Sequence, residues 1–187
     1  MILSDRDIKK YIVEKKIIIE PLDDEQIQPA SVDLRLGNEF RVFKRNNVAF
    51  IDIKKKQEDY TETVVIEDDK PFILHPGEFV LGTLKEYIKL PSDLTAVVDG
   101  RSSIARLGIT VHTTSGFINP GWGGKFVLEI GNAGKMPVLL YPNTRICKMI
   151  FFRLSSPSEV PYDKKPDAKY NERKSIDASM LDREFEK

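Results

Sequence analysis

The chain has 187 residues, 41% of them hydrophobic and 31% charged, with ten Phe, six Tyr and one Trp. That is enough apolar material for one compact core with an appendage, and it excludes the profile of a disordered chain. The 29 basic and 29 acidic side chains cancel, so no global field draws the protein to nucleic acid or to an anionic membrane; a polyanionic ligand must be held by a local cluster. A lone Cys147 and two histidines, His75 and His112, occur without any H-x-E or C-x-x-C pairing. They rule out an intramolecular disulfide, point to a reducing cytoplasm and leave too few ligands for a zinc-dependent hydrolase or a structural zinc site.

The stretch from Met1 to Asp7 lacks the basic-then-apolar order of a signal peptide. Ser4 with Asp7 three positions on predicts a capping box, and Ile8, Tyr11 and Ile12 recur at helical spacing, so a short amphipathic helix is expected over 4–15. Ile17-Ile18-Ile19 is β-branched, and Pro21 stops what precedes it. From Val32 the texture changes: Val32-Asp33-Leu34-Arg35-Leu36 alternates with period two and is expected to end as a strand at Gly37. Further strand-like runs are Arg41–Phe43, Thr63–Ile66, Phe79–Thr83, Ala96–Val98, Lys125–Ile130, Val138–Tyr141 and Arg145–Phe152. Turn signals such as His75-Pro76-Gly77 and Asn132-Ala133-Gly134 separate them.

Many short strands with frequent turns predict a mainly-β fold, a sandwich, jelly roll or distorted barrel. The charged stretch 44–70 reads as a solvated hairpin excursion. The longest charge-free stretch, Leu107 to Gly124, carries five Gly and one Pro; it is turn-rich rather than membrane-spanning, and the protein is expected to be soluble. After Ser155, Pro157, Pro161 and Pro166 sit among charges, and few apolar residues follow. This arm cannot bury a core of its own; it is either a disordered end or a segment that closes over something.

Two segments carry chemistry. Gly100-Arg101-Ser102-Ser103-Ile104-Ala105-Arg106-Leu107-Gly108 sets forked donors, hydroxyls and close backbone approach side by side, as an oxyanion or phosphate cradle needs. It is neither the G-x-S-x-G of a serine hydrolase nor a Walker loop, and by itself it also fits a surface turn with structural arginines. In Phe126-Val127-Leu128-Glu129-Ile130, a strand would turn Phe126, Leu128 and Ile130 one way and Val127 and Glu129 the other. A carboxylate beside Val127 would be partly desolvated and suited to trading protons near neutrality; periodicity alone also allows both residues to face solvent.

Gln28-Pro29-Ala30-Ser31-Val32-Asp33-Leu34-Arg35-Leu36-Gly37, the Gly100–Gly108 segment, Ile118-Asn119-Pro120-Gly121-Trp122 and Val127-Leu128-Glu129 follow one another in an order that resembles dCTP deaminases, a family that shares its fold with trimeric dUTPases. The likeness runs from Ile2 to Tyr170. It implies a single dUTPase-like domain over 1–187: a distorted jelly-roll barrel with its β-rich core over 20–154, the short helix before it and the arm of 155–187 behind it. It further implies a homotrimer with active sites between subunits, and deamination without zinc. Carried over by the resemblance, Glu129 is the general base and acid that takes a proton from water for attack on C4 of cytosine and returns protons to N3 and the leaving ammonia. Ser102 and Arg106 hold the water and the ring environment. Arg101, Ser102 and Ser103 cradle the triphosphate, with Ile104 and Ala105 in the same binding segment. Asn119, Val127 and Leu128 border the nucleoside, while Tyr162, Lys169 and Arg173 belong to an arm that acts as a lid. Mg²⁺ rides on the triphosphate, no protein metal cage is implied, and dTTP is a potential inhibitor.

Three positions depart from the family pattern. Asn119 stands where Asp is usual, the residue that holds the 3′-hydroxyl and, in dUTPases and bifunctional members, activates the hydrolytic water. Lys148 replaces a common Gln, and Arg173 stands near a tail Gln. Ser115-Gly116-Phe117, by contrast, resembles the loop of bifunctional enzymes that convert dCTP to dUMP. With Asn119 and Lys148 weighted above the loop, the expected reaction is dCTP to dUTP and ammonia. The alternatives are a bifunctional enzyme releasing dUMP and diphosphate, and a silent nucleotide-binding paralogue.

Overall fold

Apolar side chains at every second position bury one face of a strand, and the chain uses this pattern throughout. In the computed structural model, which describes residues 1–44, 49–56 and 60–186, the elements are α1 (Asp5–Val13), β1 (Ile18–Glu20), β2 (Ile27–Gln28), β3 (Ser31–Phe43), β4 (Thr61–Val65), β5 (Phe72–Leu74), β6 (Phe79–Lys89), β7 (Leu94–Gly100), α2 (Ser102–Ala105), β8 (Ile109–Thr110), β9 (Phe117–Ile118), β10 (Gly123–Asn132), β11 (Val138–Leu140) and β12 (Arg145–Arg153). Single 3₁₀ turns lie at Asp24–Gln26, Tyr162–Lys164 and Leu181–Glu184. Ten strands form one sheet whose path is β8-β10-β6-β3-β12-β7-β9, with β1 added to β6 and β2 and β4 added to β3; β11 and β5 make a separate two-stranded ribbon.

The sheet curls into a half-barrel, so the mainly-β reading holds. The bend is carried by β3. Its first half pairs with β12 from Val32 to Arg35, and its second half pairs with β6 between Leu36 and Arg41, with a register shift in between. Gly37 sits at that shift and does not end the strand as expected. A Cβ there would stand 2.6 Å from Thr83 Oγ1 and 2.9 Å from the Thr83 carbonyl, so glycine lets β3 and β6 close together while the strand turns. Leu34, Phe40, Leu84, Leu128 and Phe151 are wholly buried inside the curl, each contributing about 1.5–3 kcal/mol by leaving water. Phe40 stacks on Phe72 with centroids 4.4 Å apart.

The helix α1 lies within the 4–15 stretch and buries Ile8 and Tyr11. Its capping box is absent. Ser4 is the N-cap, but its hydroxyl makes no capping bond; Asp7 pairs with Arg6, and the Ser4 carbonyl accepts from the Ile8 N–H at 2.8 Å. Asp5 and Asp7 favour the helix start through its dipole instead. The charged excursion of 44–70 lies partly outside the described residues, at 45–48 and 57–59. Its far end returns as β4, antiparallel to the second half of β3.

Candidate functional site

β10 carries the central carboxylate. It pairs with β6, and a bulge between Lys125 and Val127 breaks its alternation. In consequence Phe126 does not join Leu128 and Ile130 in the interior as expected. It lines a cavity of about 450 Å³ together with Val127 and Glu129, its ring 5.1 Å from His112 and 5.8 Å from Trp122. The opposite wall comes from the loop between β8 and β9, including His112, Ser115 and Phe117, and from Asn119 just beyond it.

Glu129 is fixed at both ends. Its Oε2 accepts from the Thr114 N–H at 3.1 Å and from Thr114 Oγ1 at 3.3 Å. Its own N–H donates to His112 Nδ1 at 3.2 Å, and its carbonyl accepts from Thr113 Oγ1 at 3.3 Å. An acceptor at Nδ1 leaves the proton of a neutral imidazole on Nε2. That atom is buried beside the cavity with no hydrogen-bond partner among the described residues. Because the Glu129 amide and carbonyl both point away from β6, strand alternation turns those of Val127 to the same open edge. The cavity therefore offers the Glu129 carboxylate, main-chain groups and aromatic faces side by side, a set suited to a flat heterocycle whose edge is read by hydrogen bonds.

The arm forms the third wall through Tyr162, Tyr170, Arg173, Ser175 and the segment 177–179. It is ordered against the barrel: Ile176 and Ala178 are buried, and Arg41 Nη1 donates to the Ile176 carbonyl at 3.2 Å. Arg173 Nε lies 3.3 Å from Asp177 Oδ2. Lys169 does not line the cavity. Glu184 Oε1 holds its ammonium at 2.5 Å and, chiefly through that hydrogen bond, raises its pKa.

Asn119, Val127, Glu129, Tyr162 and Arg173 thus meet in one cavity, whereas the Arg101–Arg106 segment lies outside it. Ser102, Ser103, Ala105 and Arg106 are exposed, and Ile104 packs on the core. Leu128 is wholly buried, and strand alternation turns its backbone toward β6 and away from the cavity. Arg101 is anchored from behind: Nε lies 3.2 Å from Asp33 Oδ2, and Nη1 donates to the Arg145 carbonyl at 2.8 Å. Asp33 is itself tied in, since Gln26 Nε2 donates to its carbonyl at 2.8 Å and to the wholly buried Glu86 at 3.0 Å. Glu86 also accepts from Arg35 Nε at 2.7 Å and from the Arg35 N–H at 2.9 Å, so both of its oxygens are satisfied.

Lys148 belongs with this cradle and not with the cavity; its Nζ lies 3.5 Å from Asp99 Oδ2, one strand away. Cys147 is fully buried, and burial pushes its thiol far above the ordinary range, which removes it as a nucleophile. Sequence reasoning passed over His112, Tyr170, Ser175, Asp177 and Ser179. Only Tyr170, next to Lys169 in the arm motif, carried a signal. Among the described residues no group of three or more His, Cys, Asp or Glu could hold a metal ion, and no helix is long and apolar enough to cross a membrane.

A curled half-barrel with a carboxylate-bearing cavity at one strand edge defines a class, and comparison with known proteins identifies the family. A family model described as dCTP deaminase-like matches residues 2–154. A protein of Dictyoglomus turgidum named dCTP deaminase, dUMP-forming, is 54% identical over 188 residues, covering 99% of this chain and 97% of the relative. A protein of the same name from Methanothermobacter thermautotrophicus is 58% identical over 165 residues, covering 86% of this chain and 83% of the relative. The solved 2′-deoxycytidine 5′-triphosphate deaminase of Agrobacterium tumefaciens superposes with a TM-score of 0.63 at 28% identity over 80% of this chain. This chain spans 47% of that one, about half its length. The chain belongs to the dCTP deaminase-like family.

Proposed function

We propose that the protein deaminates dCTP and carries the nucleotide on to dUMP and diphosphate. The observation that carries this reading is Glu129 held at the cavity edge by Thr114 and His112, with Ser115 and Phe117 of the Ser115-Gly116-Phe117 loop in the same wall. The expectation that dUTP is the end product gives way. Relatives covering nearly the whole chain at 54% identity are named dUMP-forming, and Lys148, one of the two residues set against that outcome, sits with Asp99 beside the cradle.

In the deamination, Glu129 takes a proton from water as the oxygen bonds to C4 of cytosine. It then delivers protons to N3 and to the departing amine, and the C4–N4 bond breaks to give ammonia and the uracil ring. The open main-chain edge at Val127 supports recognition of the base, since a carbonyl left unpaired there costs about 1–3 kcal/mol. Arg101, Ser102 and Ser103 receive the triphosphate, with Arg106 and Ser102 placed near the water. These groups lie outside the cavity of their own chain, which favours a trimer in which one subunit's cradle faces its neighbour's Glu129. Tyr162, Lys169 and Arg173 close over the nucleotide. Lys169 can do so only by leaving Glu184. Magnesium enters as part of Mg-dCTP, dTTP would compete for the same cavity, and the compartment is the cytoplasm.

In the second hydrolysis, water attacks the α-phosphorus and the bond to the β-phosphate oxygen breaks. Asn119 cannot accept the proton of that water; the carboxylates lining the cavity are Glu129 and Asp177. A deaminase that stops at dUTP is the second reading, favoured by Asn119. Glu129→Gln tests the shared chemistry: it should keep dCTP binding and lose the ~10²–10⁴-fold that general acid–base catalysis supplies. Near wild-type ammonia release from that variant would refute the assignment.

A further inference from the structure

The arm lies directly on a strip of glycine. Leading into the cavity strand and over its first two residues the chain reads Gly121-Trp122-Gly123-Gly124, and three of these positions face the arm. A Cβ on Gly121 would stand 2.6 Å from Pro161 Cβ, and one on Gly123 would stand 2.9 Å from Glu172 Oε1 and 3.2 Å from the Tyr87 hydroxyl. Gly124 has φ +142°, and a Cβ there would meet the backbone N and O of Arg173 at 3.1 Å. At Gly124 main chain meets main chain, while at Gly121 and Gly123 the space a side chain would need is taken by the Pro161 ring and the Glu172 carboxylate.

The seam is hydrogen-bonded along its length. The Glu172 N–H donates to the Gly123 carbonyl at 2.6 Å, and the Lys125 N–H donates to the Arg173 carbonyl at 2.9 Å. The Gly123 N–H donates to Asn171 Oδ1 at 3.0 Å, and Trp122 Nε1 donates to the Tyr170 carbonyl at 2.9 Å. Glu172 then reaches past β10 to the strand beside it. Its Oε2 accepts from the Tyr87 hydroxyl at 2.7 Å and its Oε1 from Lys89 Nζ at 3.0 Å. Glu172 does not line the cavity, but Tyr170 and Arg173 on either side of it do.

We infer that Glu172 is a positioning residue for the nucleotide: by clasping Tyr87 and Lys89 it seats the arm on the glycine strip and holds Tyr170 and Arg173 in the cavity wall of their own chain. The nucleotide part rests on the proposed function; the clasp itself does not. Two charge-assisted hydrogen bonds from one carboxylate tie the arm to a single strand across the seam. Without the clasp the stretch 170–173 keeps its main-chain bonds but loses its side-chain tie to β6, so it opens more readily than the segment anchored by buried Ile176 and Ala178.

Trp122 is the single tryptophan and donates to the arm, so its emission reads docking without any turnover. Glu172→Ala should shift that emission to the red and speed hydrogen exchange at the amides of 170–173. It should also raise KM for Mg-dCTP by on the order of tenfold, the scale of one charge-assisted hydrogen bond, with little change in kcat. Gly123→Ala, which drives a methyl into the clasp from below, should do the same. Glu172→Gln keeps an acceptor for Tyr87 and loses the charge facing Lys89, so it should fall between.

Unchanged emission and KM in Glu172→Ala would overturn the inference. So would a loosened arm with unchanged KM, or a fall in kcat alone. If the wild-type protein does not bind Mg-dCTP, the functional reading fails and the positioning role falls with it, while emission and exchange still show whether Glu172 seats the arm.

Discussion

A carboxylate that gives and takes protons must be held still and yet be reachable. Glu129 meets both needs because Thr114 grips one oxygen while the other takes no hydrogen bond among the described residues. The type of residue was legible in Val127-Leu128-Glu129. Its surroundings were not: the bulge that swings Phe126 into the cavity, and His112 beneath the Glu129 amide, depend on contacts between segments far apart in sequence. Asn119 is the residue at which sequence pattern and relatives disagree. It lines the cavity, keeps the shape of an aspartate and offers no base. Asn119→Asp should leave dUMP as the end product of dCTP turnover. A switch from dUTP to dUMP on that substitution, read by anion-exchange separation of the nucleotides, would show that Asn119 stops the wild-type reaction after deamination.

At the scale of elements, period-two alternation located most of the long strands. It missed where they bend, because bends are made by glycine and by register shifts that hydropathy does not encode. Gly37 looked like a strand end and is the turning point of a strand that runs on to Phe43. Short strands such as β5, β8 and β9 have too few residues to show a period. The arm was legible as an appendage and not as a docked wall, since what holds it is backbone on glycine, the clasp of Glu172 and the burial of Ile176 and Ala178.

That clasp has a predictable pH range. The Tyr87 hydroxyl and then Lys89 hold the Glu172 carboxyl below its ordinary value of 4.5, with Lys174 adding to the effect. A lowered folded-state value gives stability that is present above 4.5 and is lost as pH falls through the folded value. Burial, and then the hydrogen bond to Glu172, push Tyr87 up to about 12, with Glu20 contributing; that stabilisation is present below the ordinary value of 10.0 and is lost as pH rises through about 12. Trp122 emission should therefore be flat from about pH 5 to 10 and change on either side. Glu172→Gln should remove most of the acid-side change. An acid-side transition of wild-type size in that variant would assign it to another carboxylate.

At the scale of the whole molecule, the proposed cradle and the proposed acid–base group lie apart within one chain. Arg101 is braced by Asp33 on one side of the half-barrel and Glu129 stands in the cavity on another, an arrangement that makes sense when copies meet. Refolding Glu129→Gln subunits with an equal amount of Arg101→Ala subunits, each inactive alone, should restore activity. In a closed ring of like contacts, about one quarter of the interfaces would pair an intact Glu129 with an intact Arg101. No recovery on mixing would place both groups in one chain's site and remove the case for shared active sites.

Incubation with Mg-dCTP, with the nucleotides resolved against time, decides whether the protein takes dCTP through to dUMP. Ammonia and diphosphate released in equal amounts, with dUMP as the accumulating nucleotide, is the predicted result. Ammonia with accumulating dUTP and no diphosphate would contradict it and leave a deaminase that stops after the first hydrolysis.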